Sequence, residues 1–552
     1  MPRPSVRLSR GAIVDVRPDP ETGSNRGDTG FTRLLFRLSL DGPISRDAKT
    51  PPARLLEHLL GDDFTALAGR WSTVAFSFAF AASAERACGN AGHALADDTR
   101  NRFFYAWVPF STPLAEFVAD LAALDGVDAE SLSIDPPVTV WELRESLDPE
   151  TAADAFNAFA QPWLDEDGIN VVRAWQYPGA RGQGVQVADI EQGWTFDHID
   201  LYDTARPDRI RRVYGLNQAY MGHGTAVLGI LAARDDGKGC TGAVPDAEFS
   251  CYAIIEDSGW DVPLQWAIDA AVFGVHPLTA LKGEAAGALG GALPVGIQPL
   301  RKGDILLIED QGSLPDLGIT QVPVEVQLPV FLAIRDATDR GIIVIEPAGN
   351  GGIDLDDLAG RPDVHGLGYG TRDSGAILVG ASTAGEGRER LASSCYGNRI
   401  NCHAWGEGVF TTGDGWEGND RFCYTLFGGT SAAAAQVAAA AAAIQGARKK
   451  TVAQPLEPMD MRNLLVQTGR SSSDPPGDRS GVLPDAEAAI RDFAGDPPGN
   501  TPAYPHPADN DLSGVRLCGA FSQVDDQPPA GLPLAPVFFL LGLLTGVVLM
   551  LI

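Results

Sequence analysis

Short apolar runs alternate with helical patterns over most of the chain. Between about Ala153 and Phe493 the runs are rich in β-branched residues, and stretches with helical spacing separate them. The runs include GVQVADI, FSCYAII, DILLIE, IIVIEPAG and AILVGAS. Apolar strands that alternate with helices are typical of βαβ units whose parallel sheet is buried on both faces. The pattern predicts an α/β fold with a mostly parallel sheet covered by helices on both faces.

A weaker pattern precedes this region. FFYAWV at residues 103–108 has strand character. It is followed by apolar residues at helical spacing, namely Leu114, Phe117, Val118, Leu121 and Leu124. We therefore expect a small α+β domain over residues 1–150 and a separate main domain over residues 153–493.

The composition changes again near the C-terminus. Residues 495–532 are rich in Pro, Gly, Asp and Asn, which is typical of an extended stalk. Residues 533–552, PLAPVFFLLGLLTGVVLMLI, carry no charge and approach the roughly 20 residues that a membrane-spanning helix needs. A buried core helix is the alternative, but it would normally carry polar residues on one face. The sequence predicts a C-terminal transmembrane helix and a single-pass membrane location, with the side of the main domain left open.

Composition and charge exclude several classes of protein. The chain has 552 residues, 44% of them hydrophobic, which fits a globular protein and excludes a disordered or collagen-like one. Its formal net charge is −30, so a nucleic-acid partner is not expected. The seven cysteines form no CxxC pair, which argues against a zinc ribbon. Either Cys240 with Cys251 or Cys395 with Cys402 could form a disulfide, and buried free thiols are the alternative.

Three segments carry residues suited to nucleophilic catalysis. The strand GVQVADIE ends in Asp189 and Glu191, which are two positions apart and so leave one face of a strand. His223 stands in MGHGTAVLGILAA, and Ser431 opens a helix of alanines in FGGTSAAAAQVAAAAAA. A serine hydroxyl becomes a good nucleophile when an imidazole, oriented by a carboxylate, removes its proton. The order acid, histidine, serine therefore predicts acyl-transfer chemistry.

A fourth segment, IIVIEPAGNGG, places Asn350 in a glycine-bracketed loop after an apolar strand. A side-chain amide at that position can donate a hydrogen bond to the oxyanion of a tetrahedral intermediate. Asn350 is therefore predicted to be a catalytic residue.

Taken together, these segments resemble the subtilisin-like serine peptidases, the S8 or subtilase family. The resemblance covers about residues 153–493 and depends on HGT and GTSxA, with AGN between them. It implies that His223 is the general base, Ser431 the nucleophile and Asn350 the oxyanion donor of an endopeptidase that forms an acyl-enzyme with a protein or peptide substrate. It also implies that no cofactor is needed for the chemistry, although structural Ca²⁺ is possible in an acidic loop such as residues 354–363.

The resemblance gives the N-terminal domain a role as well. Residues 1–150 look similar to a subtilase propeptide, which assists folding and blocks the site until it is cleaved. An unrelated accessory domain is the alternative.

Two positions depart from the family pattern. The first strand of the family ends in Asp-Thr-Gly or Asp-Ser-Gly, whereas the register here puts Glu191 at the acid position with Asp189 two residues earlier. Either carboxylate could orient His223, and the spacing favours Glu191. The second departure is Ala435, where the family usually has proline. The unusual acid keeps open a catalytically silent subtilase-like binding module. A further alternative is an esterase that uses the same triad on non-peptide acyl groups.

A further departure concerns the substrate. The segment from Asp304 to Gly312, DILLIEDQG, stands where the family's substrate-lining strand usually carries Ser-Leu-Gly. Glu309, Asp310, Gln311 and Gly349 are candidate substrate-binding residues. One possibility is an acidic primary pocket that favours Lys or Arg. In the other, one carboxylate faces solvent and its neighbour pairs with a structural arginine.

Overall fold

The computed structural model describes two parts of the chain. The N-terminal part comprises residues 31–41, 44, 51–80, 101–109 and 111–134. The C-terminal part comprises residues 161–215, 217, 221–254, 263–274, 298–314, 317–358, 373–414, 420–498, 504, 506–512 and the backbone of 516–520.

The N-terminal part is a four-stranded antiparallel sheet with two helices. Its elements are β1 (Phe31–Leu38), α1 (Pro52–Arg70), β2 (Ala75–Phe78), β3 (Phe103–Pro109), α2 (Leu114–Ala122) and β4 (Val127–Ile134). The strand order is β2-β3-β1-β4. Alternate side chains leave opposite faces of a strand. In β3, Phe104 packs towards the two helices, whereas Tyr105 and Trp107 pack towards the main domain.

A nine-stranded sheet forms the centre of the main domain. Its strands are β5 (Gln186–Glu191), β6 (Ile210–Tyr214), β7 (Glu248–Ala253), β8 (Ile305–Ile308), β11 (Ile343–Pro347), β12 (Ile377–Ser382), β13 (Cys402–Trp405), β16 (Arg470–Ser471) and β17 (Val482–Leu483). The order across the sheet is β16-β17-β13-β12-β11-β8-β5-β7-β6. Every neighbouring pair is parallel except β16 and β17.

Two small sheets and eight helices complete the described part of this domain. The hairpin strands are β9 (Gly312–Leu314) and β10 (Ile319–Val322), and the second small sheet contains β14 (Val409–Thr412), β15 (Cys423–Phe427) and β18 (Arg516–Ala520). The helices are α3 (Val171–Ala174), α4 (Met221–Ala232), α5 (Leu264–Phe273), α6 (Leu328–Asp339), α7 (Gly429–Thr451), α8 (Pro458–Thr468), α9 (Pro475–Asp478) and α10 (Ala486–Ala494). Short 3₁₀ turns occur at Pro162–Leu164, Val324–Val326, Leu355–Leu358 and Pro507–Asp509.

The central sheet is buried on both faces, as the apolar runs predict. In β8, Ile305 and Leu307 belong to the core that includes α4, α7 and α10, whereas Leu306 and Ile308 belong to the core that includes α5 and α6. All four side chains are fully buried. The predicted parallel sheet with helices on both faces is therefore supported.

Helix α7 crosses the core because its side chains are small. Every residue from Gly429 to Ala447 is buried. A side chain at Gly446 would lie 2.0 Å from the carbonyl oxygen of Gly179, so only glycine permits this approach. The alanines of α7 let it pack against β8, β11, β12 and β13. Its first turn thereby reaches the edge of the sheet at which those strands end.

The sequence-based fold and location require one correction. No helix in the described ranges is both long enough and apolar enough to cross a membrane, so the predicted transmembrane helix and single-pass membrane anchor are not supported. Residues 533–552, on which that prediction was based, lie outside the described residues.

Part of the predicted stalk packs on the main domain. His506 Nε2 lies 2.9 Å from Asp165 Oδ1, and Asn510 Nδ2 donates to Thr241 Oγ1 at 2.9 Å. The strand at 516–520 extends the small sheet beside β15. The domain boundaries at 150, 153, 493, 495 and 532 stay predictions.

The cysteine pairs considered from the sequence do not form. Cys240, Cys251, Cys395 and Cys402 are buried free thiols, whereas Cys423 is disulfide-bonded. Because Cys251 lies on β7 in the central sheet, its thiol behaves as a small apolar group.

Candidate active site

The predicted acid, histidine and serine come from three elements that end or begin at one edge of the central sheet. Glu191 is the last residue of β5, His223 lies in the first turn of α4, and Ser431 lies in the first turn of α7. The carboxyl ends of parallel strands are where side chains of an α/β sheet collect around a ligand. All three side chains are almost completely buried.

The structure brings Glu191, rather than Asp189, to the histidine. His223 Nδ1 lies 2.6 Å from Glu191 Oε1. Asp189 Oδ2 instead accepts a hydrogen bond of 2.8 Å from Trp194 Nε1. Both carboxylates leave the same side of β5, and the longer glutamate side chain at the strand end contacts the imidazole.

A tight contact between α4 and the loop after β5 sets this geometry. A side chain at Gly224 would lie 2.4 Å from the carbonyl oxygen of Gly193 and 2.7 Å from the ring of Trp194. The backbone N–H of Thr195 donates to Thr225 Oγ1 at 2.8 Å. The glycine after His223 therefore lets the loop that follows the acid lie directly on the histidine helix.

Asn350 is oriented by the residue that precedes the serine. Its Oδ1 accepts hydrogen bonds from the backbone N–H of Thr430 at 2.9 Å and from Thr430 Oγ1 at 3.0 Å. Its Nδ2 is buried and has no hydrogen-bond partner among the described residues. Because Oδ1 is engaged twice, the donor face of the amide is available for a bound group. Thr430 was not singled out from the sequence, although it is part of the GTS motif.

The four predicted substrate-binding residues lie next to this centre and are buried. Gln311 Oε1 accepts the backbone N–H of Asn350 at 2.7 Å, and the backbone N–H of Gln311 donates to Asp310 Oδ1 at 2.7 Å. Gly349 has a φ of +89°, and a side chain there would lie 2.2 Å from the carbonyl oxygen of Gln321. Glu309 and Asp310 are each only 2% exposed, so neither carboxylate faces solvent. Their role in substrate binding stays a prediction.

Burial controls the protonation of the site. Burial lowers the pKa of His223 to about 4, and the charge of Asp189 opposes that lowering. The imidazole is therefore neutral at neutral pH, which is the form that accepts a proton. Burial raises the pKa of Glu191 well above its usual range, opposed by the backbone N–H of Gln192. The pKa of Asp189 is also raised, first by burial and then by the charge of Glu191.

Within the described ranges, one group of side chains has the arrangement of a metal site. Ligand atoms of Glu191, His223 and Glu309 lie within 4.8 Å of one another. In the acidic loop considered for calcium, Asp354 and Asp356 both pair with Arg479, the latter at 2.7 Å. Structural calcium stays a prediction.

Comparison with known proteins agrees with this geometry. The profile of the Subtilase family matches residues 312–488, which contain Asn350 and Ser431. Residues 312–488 thus carry the sequence pattern of the subtilase family. Glu191 and His223 lie before the matched residues, so the contact between them rests on the structure.

Three similar proteins align with stretches of this chain of different length. An Aeromonas extracellular serine protease from Aeromonas sobria is 33% identical over 93 residues, which are 16% of this chain and 15% of that protein. Alkaline elastase YaB from a Bacillus species is 26% identical over 56% of this chain and 64% of its own length. An intracellular serine protease from Paenibacillus polymyxa is 26% identical over 48% of this chain and 68% of its own length. The chain thus covers less than two thirds of the length of each of the first two relatives.

Proposed function

We propose that this protein is a serine endopeptidase that cleaves protein or peptide substrates through an acyl-enzyme. The 2.6 Å contact between His223 Nδ1 and Glu191 Oε1 carries the proposal. It gives a buried imidazole a fixed orientation at the edge of the sheet where Ser431 and Asn350 also lie. The names of the relatives, two serine proteases and an alkaline elastase, support the same reaction class.

The proposed mechanism assigns one role to each residue. Ser431 Oγ attacks the substrate carbonyl while His223 Nε2 takes the hydroxyl proton, and Glu191 stabilises the imidazolium that forms. Asn350 Nδ2 and the backbone N–H of Ser431 stabilise the oxyanion. His223 then gives its proton to the leaving amine, and water releases the acyl group from Ser431. No cofactor enters these steps.

Labelling with a fluorophosphonate probe tests the nucleophile. We expect stoichiometric modification of Ser431 in the wild-type chain and none in Ser431→Ala, because the probe requires an activated hydroxyl. Casein and a simple ester, assayed side by side, separate a peptidase from an esterase. Absence of labelling in a folded wild-type protein would instead favour the catalytically silent binding module.

We also propose that the N-terminal domain acts as a removable propeptide. The support is its position, because the sheet face of that domain packs on the peptidase domain through α5. Gln265 Nε2 donates to Tyr105 Oη at 2.6 Å and to the carbonyl oxygen of Ala79 at 3.2 Å. Trp107 and Trp266 pack with ring centroids 6.0 Å apart. Such a docked domain could assist folding of the peptidase domain before it is cleaved.

A further inference from the structure

The side chain of Gln311 holds the backbone of Asn350. Gln311 lies between β8 and the hairpin strand β9 and is 3% exposed. Its Oε1 accepts a hydrogen bond of 2.7 Å from the backbone N–H of Asn350. The Nε2 of the same amide is buried and has no hydrogen-bond partner among the described residues. Because a buried donor without a partner disfavours folding, packing alone does not explain a glutamine at this position.

The hairpin that begins after Gln311 contacts the same loop. The carbonyl oxygen of Gln321, in β10, accepts the backbone N–H of Gly351 at 2.9 Å. A side chain at Gly349 would lie 2.2 Å from that oxygen, and one at Gly351 would lie 2.6 Å from the carbonyl oxygen of Thr320. The glycines on each side of the asparagine therefore let its loop lie directly on the hairpin, where two successive N–H groups of the loop are bonded.

Asn350 is thus held at two points. Gln311 Oε1 accepts its backbone N–H, whereas the backbone N–H and the Oγ1 of Thr430 donate to its Oδ1. With the backbone and one end of the amide fixed, Nδ2 has a defined direction. A donor that is oriented before the reaction stabilises an oxyanion most strongly, because nothing has to reorganise when the charge forms.

We propose that Gln311 is a positioning residue for Asn350, whose backbone it fixes so that Nδ2 is directed at the oxyanion of the tetrahedral intermediate. This inference rests on the proposed function. Gln311 acts here through Asn350, and no proton or covalent bond changes on it. Because the oxyanion forms as the transition state is reached, loss of this positioning should lower kcat and leave KM nearly unchanged. The effect should also depend on the presence of Asn350.

Gln311→Met tests the inference, because methionine has a similar length and lacks an acceptor equivalent to Oε1. On a peptide substrate, kcat should fall by about tenfold and KM should change by less than about twofold. In Asn350→Ala enzyme the same substitution should lower kcat by less than about twofold, since the donor that it positions is already absent. Equal fold losses in the two backgrounds would overturn the inference.

Gln445→Met is the matched control. Gln445 is also a fully buried glutamine whose Oε1 accepts a backbone N–H, that of Leu456 at 2.9 Å, but it lies near the C-terminal end of α7. This variant should be less stable in thermal unfolding than the wild type and should keep its kcat. If both variants lose kcat to the same extent, the loss follows from stability alone and the inference is wrong.

Gln311→Glu is a second variant that stays informative if Gln311→Met does not fold. Glutamate keeps an acceptor at the same distance from the backbone, so the bond to the N–H of Asn350 can still form. Its kcat should stay within about threefold of the wild-type value. A larger loss from a folded Gln311→Glu protein would contradict the role given to Oε1.

Hydrogen exchange of the segment that contains Asn350 measures the positioning without turnover. The substitutions are compared in a Ser431→Ala background, where exchange should be faster in Gln311→Met than in Gln445→Met because the Asn350 N–H has lost its acceptor. Equal exchange in the two proteins would also overturn the inference. Failure of the proposed function is seen separately, as an absence of fluorophosphonate labelling at Ser431 in the wild-type chain.

Discussion

At the scale of single residues, the site depends on which carboxylate contacts the imidazole. The two acids of β5 have separate partners, since Glu191 contacts His223 and Asp189 contacts Trp194. Each substitution should therefore affect a different hydrogen bond.

We expect Glu191→Gln to lower kcat by up to about 10⁴-fold, because the neutral amide neither holds the correct tautomer nor stabilises the imidazolium. Asp189→Asn should cost about tenfold or less, because asparagine retains an acceptor for Trp194 Nε1. Steady-state kinetics on a peptide substrate measures both, with thermal unfolding as the control for folding. Loss of all turnover in Asp189→Asn alone would show that the acid has been assigned to the wrong residue.

Asn350→Ala should lower kcat by about 10²- to 10³-fold with little change in KM, because a donor to the oxyanion acts mainly in the transition state. Thr430→Val is the comparison, since it removes one of the two hydrogen bonds that hold Asn350 Oδ1 and leaves the backbone donor in place. It should lose less activity than Asn350→Ala. The reverse order would contradict the role given to the asparagine.

His198 should make stability depend on pH. Its Nε2 donates to the carbonyl oxygen of Cys423 at 2.8 Å and its Nδ1 accepts from the backbone N–H of Asp200 at 3.1 Å, so the buried ring is neutral. Burial lowers its pKa to about 4 from 6.5. Because the unfolded chain binds the proton first, this residue reduces the free energy of unfolding as the pH falls from 6.5 to 4, by about 3 kcal/mol in total.

Denaturant unfolding at pH 7 and at pH 4 measures this effect. The free energy of unfolding should fall less from pH 7 to pH 4 in His198→Gln than in the wild-type protein, by about 3 kcal/mol. Equal decreases in the two proteins would contradict the prediction, whatever the absolute stability of the variant.

At the scale of elements, the site forms where strands end and helices begin. Glu191 ends β5 and Glu309 directly follows the neighbouring strand β8. His223 and Ser431 lie in the first turns of two helices that pack on the same face of the sheet. The proline usual in the family is replaced by Ala435, which is fully buried in an uninterrupted α7. Alanine has a backbone N–H that can donate within the helix, which proline would lack. This departure therefore affects the helix and leaves Ser431 in place.

Gly224→Ala tests the contact between α4 and the loop after β5. A methyl group there would lie 2.4 Å from the Gly193 carbonyl oxygen, and the shift needed to relieve the clash should cost about 1–3 kcal/mol and reduce kcat. Gly69→Ala is the matched control, because Gly69 is also helical and has nothing within 4 Å of the added carbon. That variant should be as stable as the wild type or slightly more so. Thermal unfolding and peptide hydrolysis compare the two variants.

At the scale of the whole molecule, two sheets meet across one interface. Tyr105, Trp107 and Phe80 of the N-terminal domain share a core cluster with Trp266 and other residues of α5. The hydrogen bonds of Gln265 across this interface are buried, so the two domains fit each other closely in the uncleaved chain.

If the N-terminal domain is a propeptide, mature wild-type protein should lack about the first 150 residues, while Ser431→Ala should keep them. Intact mass and N-terminal sequencing measure this difference. Adding the active wild-type enzyme to Ser431→Ala shows whether cleavage can occur between molecules. Identical masses for the wild type and Ser431→Ala would favour the accessory-domain alternative.

Much of the fold could be predicted from the sequence, because periodicity and local motifs report on local structure. The apolar runs at residues 305–308 and 343–347 predict strands buried on both faces, and the alanines after Ser431 predict a helix that crosses the core. By contrast, the apolar composition of residues 533–552 predicted a membrane helix that is not supported. Composition alone does not specify what surrounds a segment.

The sequence by itself determined the residue types, their order and the spacing that put two acids on one side of β5. The tertiary structure alone decided that Glu191 contacts His223 while Asp189 contacts Trp194, and that Glu309 lies close to both His223 and Glu191. The physical reason is that hydrogen bonds and burial depend on distances between segments that are far apart in the chain. Only the packing of α4 and α7 against the ends of β5 and β8 fixes those distances.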